Sequence, residues 1–67
     1  MVKITLKAAR VNAGLTQKAA AHALGVSNAT IVNWEQGKSS PKQTNLSRLC
    51  ALYGVPYDDL FFDQDNA

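Results

Sequence analysis

Apolar residues recur along the chain at helical spacing, and each run is closed by glycine or proline. Leu6, Ala9, Arg10 and Ala13 share one face of a first helix that Thr5 caps and Gly14 ends. Glycine suits that place because it takes the left-handed conformation after a helix without steric cost. After Leu15, Thr16 caps a second helix over residues 17–24, and Gly25 ends it. Val26 enters the core from the turn, and Ser27 caps a third helix over about 28–36. Ile31 and Trp34 lie three apart on its inner side, and Gly37 ends it. Lys38 to Pro41 is a short polar loop, because proline biases the residue before it away from helix. A fourth helix from about Lys42 to Tyr53 carries Leu46, Leu49, Cys50 and Tyr53 at i, i+3, i+4 and i+7, and Gly54 closes it. Pro56 suits the start of a fifth, short helix through about Phe62. No strand, internal repeat or low-complexity linker is visible. The pattern predicts an all-α, five-helix domain over residues 1–62, with residues 63–67 a short acidic tail that frays.

The middle of the chain is the most informative stretch. Thr16 to Gly37, TQKAAAHALGVSNATIVNWEQG, is two short helices joined by a tight glycine turn. In a helix-turn-helix the two helices cross at about 90–120°. Such a crossing needs a small residue in the first helix, and Ala21 stands there. The turn needs a residue tolerant of positive φ, which Gly25 supplies. The second helix needs apolar residues facing back, and Val26, Ile31 and Trp34 qualify. A helix opening Ser-Asn-Ala-Thr presents small polar side chains shaped to enter a DNA groove.

With Glu35-Gln36-Gly37-Lys38 following in register, this arrangement resembles the phage Cro/repressor (XRE-like) family of helix-turn-helix transcriptional regulators. The resemblance runs from about Leu6 to Phe62 and includes LKAARVNAGLTQ, the central WEQGK and the closing ALYGVPYDDLF. It implies a lambda-repressor-like domain whose helices 2 and 3 form the helix-turn-helix. The implied function is sequence-specific binding of double-stranded operator DNA, as a repressor of the Cro/C1 type. In such a fold the third helix lies in the major groove. That would turn Asn28, Ala29, Val32 and Asn33 toward base edges and bring Ser27 and Thr30 close to phosphates. Asparagine pairs in bidentate fashion with adenine, and Ala29, Thr30 and Val32 suit thymine methyls. No Arg or Lys points from this helix toward guanine, so A·T pairs are expected at the main contacts. Plain solvent exposure is the other reading of Asn28 and Asn33.

Phosphate contacts are expected to supply much of the affinity. Gln17 stands at the positive end of helix 2, a ready anion site, and in the family it also braces the first base-reading side chain. Gln36, Lys38, Ser40 and Lys42 flank helix 3 and the start of helix 4, with Lys18 and Lys3 as helpers. For each lysine the alternative is a solvated charge. The family pairs an arginine and a glutamate at the places of Arg10 and Glu35, which implies a partly buried ion pair tying helix 1 to helix 3. Phosphate binding by Arg10 is the alternative. The family's dimer contact falls here on Pro41–Asn45 and Tyr57–Phe62, giving a homodimer in solution or only on DNA. Three places depart from the family pattern. Ala19 and Ala20 lighten helix 2, Gln43 stands where an apolar residue is common, and Lys42 replaces a usual helix cap.

Charge sharpens this picture. The net charge of +2 on 67 residues hides an asymmetry. Residues 1–57 hold all seven Lys and Arg and a single acid, Glu35, a balance of +6; the remaining acids are Asp58, Asp59, Asp63 and Asp65. A basic body with an acidic tail suits a polyanion partner on one face. A domain this small is expected to be marginally stable. One cysteine, Cys50, forms no intrachain disulfide and fits a cytoplasmic setting. No apolar run approaches the ~20 residues that span a bilayer, and the N-terminus lacks the apolar core of a signal peptide.

Little supports other chemistry. His22 and Cys50 are the only soft metal ligands, fewer than a zinc site needs, and are better read as an exposed helix residue and a core residue. The C-terminal aspartates do not follow a calcium-loop pattern. Nothing orders Ser39, Ser40, His22 and the aspartates as nucleophile, base and orienter. No enzyme activity, metal or cofactor is therefore expected. Phe61 and Phe62 are adjacent, so one helical face does not bury both, and one of them, with Leu60 or Tyr57, leaves an apolar patch. That patch opens a second reading, an antitoxin or adaptor-like module that holds a protein partner on the same fold.

Overall fold

The computed structural model describes residues 4–61. A two-residue strand β1 (Ile4–Thr5) leads into α1 (Leu6–Asn12), followed by α2 (Gln17–Leu24), α3 (Asn28–Gln36) and α4 (Gln43–Tyr53). A single 3-10 turn (Tyr57–Asp59) and a second two-residue strand β2 (Leu60–Phe61) complete it. Lys3, Phe62 and residues 63–67 lie outside the described residues, as does the side chain of Phe61.

Hydroxyl side chains start three of the four helices. Thr5 Oγ1 accepts from the Ala8 amide at 3.1 Å, Thr16 Oγ1 from Ala19 at 3.0 Å, and Ser27 Oγ from Thr30 at 3.1 Å. Each satisfies one of the amides that a helix N-terminus leaves without an internal acceptor. Lys42 precedes α4 and gives it no side-chain cap, so that helix relies on its packing.

The helix ends explain the turn. At the end of α2 the Gly25 amide donates to His22 O (3.2 Å) and the Val26 amide to Ala21 O (3.0 Å). This pair of bonds closes the helix and folds the next residue back onto it. The residue after each helix-ending glycine is Leu15, Val26, Lys38 or Val55. The three apolar ones pack, partly buried, against the core; Lys38 is exposed. Gly25 has φ +73°, and a Cβ built there meets nothing within 4 Å. The demand is therefore purely conformational. Gly25→Ala should cost about 1 kcal/mol in chemical denaturation, and a loss several times larger would mean that the turn is also sterically closed.

The core comprises Leu6 and Ala9 of α1, Ala20, Ala21 and Leu24 of α2, Ile31 and Trp34 of α3, Leu46, Leu49 and Tyr53 of α4, and Leu60. Ala20 is fully buried at 0% exposure and Ala19 is exposed. Of the two alanines that lighten α2, only Ala20 is therefore a core position. Ala13, expected on the inner face of helix 1, is exposed, because α1 ends at Asn12 and Ala13 is its C-cap.

The C-terminal segment corrects the five-helix expectation. Among the described residues there are four α-helices, and the region from Pro56 makes one 3-10 turn before Leu60 turns extended (φ −79°, ψ 135°). β2 then runs parallel to β1, with Ile4 opposite Leu60 and Thr5 opposite Phe61. The expectation of no strands is corrected with it. A helix through Phe62 would gain only a turn or two of hydrogen bonds against the cost of nucleation. The extended path gains backbone partners on β1 and still carries Leu60 into the core, where it is 5% exposed.

Candidate nucleic-acid interface

α3 divides its residues cleanly between inside and outside. At about 100° per residue, Ile31 and Trp34 point inward, where they are 1% and 9% exposed. The opposite arc carries Asn28, Ala29, Val32, Asn33 and Gln36. Asn28, Ala29 and Gln36 are exposed, while Val32 and Asn33 are half-buried. The four residues expected to face bases therefore share one stripe, and it bears no charge. Gln36, expected at the backbone, belongs by helical position to the same stripe, which its i+4 and i+7 relations to Val32 and Ala29 already encode.

The turn sets how this stripe is offered. Ala21, 4% exposed, lets α3 approach α2 closely, and Val26 holds the connection against the core. Ser27 caps α3, and its Oγ lies 2.9 Å from Thr30 Oγ1. The two hydroxyls satisfy each other and leave one O–H free to donate outward. Lys18, Lys38, Ser40 and Lys42 are all exposed. His22 is exposed too, and Cys50 is half-buried, its thiol pushed up by burial.

Behind the stripe sits a compact polar network. Arg10 Nε donates to Glu35 Oε2 at 2.7 Å, and Arg10 Nη2 to Glu35 Oε1 at 3.4 Å. Arg10 Nη1 donates to Leu15 O at 2.8 Å. Gln17 Nε2 donates to Glu35 Oε1 at 3.1 Å. The Arg10 and Glu35 side chains are 9% and 5% exposed, so Arg10 is not offered to a polyanion. Gln17 stands at the start of α2, where the sequence places it, and its amide nitrogen also engages Glu35. The bonds to Leu15 O and from Gln17 were missed in the sequence, which carries no local signal linking position 17 to position 35. With Glu35 neutralised and buried, no free acid of the basic body faces the exposed cations.

Tyr53, 6% exposed, borders this network. Its phenol is pushed above its ordinary range, first by burial and then by the Glu35 carboxylate, against an opposing effect of Arg10. Folding should thus be unaffected by Tyr53 below pH about 10 and weaken above it, as the unfolded chain ionises this phenol first. Tyr53→Phe should flatten that alkaline loss in denaturation curves followed by circular dichroism; an unchanged slope would assign the loss to other groups.

Among the described residues no group of three or more His, Cys, Asp or Glu is placed to hold a metal ion, and no helix is long and apolar enough to cross a membrane. Among the described residues, Val11 and Tyr57 are the large apolar side chains most open to solvent, at 56% and 54% exposure.

A short α2, a left-handed glycine turn and an uncharged, outward-facing α3 on a helical scaffold define a helix-turn-helix module. The family described as Helix-turn-helix matches residues 6–60. The chain belongs to that family, to its Cro/repressor type of transcriptional regulators. It is 36% identical over 56 residues to the cryptic phage CTXphi transcriptional repressor RstR of Vibrio cholerae, covering 84% of this chain and 50% of RstR. It is 42% identical over 55 residues to the HTH-type transcriptional regulator ImmR of Bacillus subtilis, covering 82% of this chain and 43% of ImmR. An uncharacterized HTH-type transcriptional regulator of Methanocaldococcus jannaschii is 35% identical over 65 residues, 97% of this chain and 98% of that protein. The chain thus spans half or less of RstR and ImmR but nearly all of the archaeal relative. No solved structure matches it significantly.

Proposed function

We propose that this protein binds double-stranded DNA sequence-specifically and regulates transcription, most simply as a repressor, with α3 in the major groove. The observation that carries the reading is the uncharged stripe of Asn28, Ala29, Val32 and Asn33, exposed or half-exposed on the face of α3 opposite the core. Asparagine and small apolar side chains are the chemistry that reads adenine and the thymine methyl. Lys18, Lys38, Ser40, Lys42 and the hydroxyls of Ser27 and Thr30 border the stripe in sequence and supply phosphate contacts on either side. The names of RstR, ImmR and the archaeal relative, a transcriptional repressor and two transcriptional regulators, support the same reading.

The operator is an inverted repeat read by a homodimer whose recognition helices lie about one DNA turn, ~34 Å, apart. Exposed Tyr57, together with the exposed or half-exposed segment Pro41–Asn45, supports a contact between protomers there. Selection of bound duplexes from a random library, followed by titration at two salt concentrations, tests the proposal. An enriched inverted repeat whose affinity falls steeply with salt is the expected result. Enrichment of no sequence, with weak binding alone, would end the operator reading.

A further inference from the structure

Gln17 and Glu35 join two parts of the molecule that serve different ends. Glu35 belongs to a buried ion pair; Gln17 is the first residue of α2 and is half-buried at the surface. We propose that Glu35 is a positioning residue for DNA contact, acting through Gln17. The inference rests on the DNA-binding reading above and adds a residue to it.

The argument is one of donors and acceptors. The Glu35 carboxylate accepts only, so its Oε1 admits only the NH2 end of the Gln17 amide, at 3.1 Å. Glu35 itself is fixed by Arg10, whose Nε and Nη2 reach its two oxygens at 2.7 and 3.4 Å. Arg10 is fixed in turn by Leu15 O at 2.8 Å, in the segment that leads into α2. Each member is thereby held by another, and the last member faces solvent at the start of α2. Gln17 Nε2 carries two hydrogens and spends one on Glu35. The other is held in a set direction beside the Gln17 and Lys18 backbone amides, which have no acceptor within the helix. A phosphate docking there meets a donor already oriented. Holding one such long side chain in advance is worth about three- to tenfold in affinity.

Two measurements test this. The first needs no variant: side-chain amide relaxation in the free protein, with the exposed Gln36 and Gln43 as internal references. The Gln17 amide should be markedly more ordered than either, and equal mobility overturns the proposal. The second is a double-mutant cycle on affinity for the duplex enriched from a random library, using Glu35→Gln and Gln17→Ala. Glu35→Gln should weaken binding about three- to tenfold in the wild-type background and much less when Gln17 is already alanine. Equal losses in both backgrounds would show Glu35 to be merely structural and overturn the proposal while leaving DNA binding intact. A wild-type chain that binds neither that duplex nor mixed-sequence DNA would remove the DNA reading and this one with it. If Glu35→Gln fails to fold, the relaxation measurement decides alone.

Discussion

Replacing Arg10 by alanine should cost about 3–5 kcal/mol in urea denaturation, because it strands a charge in the interior. Glu35 is 5% exposed, and without the guanidinium the side-chain donor left to it among the described residues is Gln17. Leu15 O would lose the bond from Nη1, and α1 would lose the packing of the arginine stem. A chain of this size carries a total of only about 3–10 kcal/mol, so the variant should lose a third or more of its stability. Pairing Arg10→Met with Glu35→Leu should recover much of the loss, since two apolar groups leave no buried charge. Recovery should be incomplete, as Leu15 O and Gln17 each lose a partner. A loss below about 1 kcal/mol for Arg10→Ala would mean that the pair behaves as though exposed to water.

The elements of this fold that proved legible in the sequence are those with local causes. Thr16 and Ser27 start α2 and α3 where the sequence predicts, and Gly25 and Gly37 stop them, because caps and left-handed residues act within a turn or so of themselves. The core faces of α3 and α4 follow from apolar spacing alone. Leu15, Val26 and Val55 show that an apolar residue after the glycine is equally readable, for it must fold back onto the helix just ended.

What was not legible depends on partners distant along the chain. The segment after Pro56 has the proline, the acids and the apolar spacing of a short helix, and nothing local disfavours one. What redirects it is Ile4, whose backbone pairs with Leu60. Burial of Leu60 is satisfied by either path, so hydrophobic pattern cannot choose between them. The bond from Gln17 to Glu35 is hidden for a similar reason. A glutamine at the first position of a helix reads as exposed, and only the crossing of α2 over α3, with Arg10 beneath, brings a carboxylate within its reach. Resemblance to a family supplied Arg10 and Glu35 as a pair; residue spacing alone did not.

The same separation of local from distant causes shapes the second large effect. Asn28→Ala and Asn33→Ala should each weaken binding to the selected duplex by about 1–3 kcal/mol, roughly 5- to 150-fold. Together they should bring it close to the level of mixed-sequence DNA, since separated base contacts add approximately. Stability should hardly change. Asn28 is exposed and Asn33 half-buried, and α3 keeps its cap on Ser27. The closing bond from Lys38 to position 33 uses the backbone oxygen, and alanine is the better helix former. Lys38→Ala and Lys42→Ala supply the contrast. They should weaken binding to every sequence alike and lower the salt slope by about one each. If instead the asparagine variants lost affinity equally for selected and mixed sequences, the stripe on α3 would be a backbone contact, and specificity would have to come from DNA shape. Sequence discrimination confined to the asparagines, with salt dependence confined to the lysines, would divide the interface between a neutral reading helix and the charged segments on either side of it.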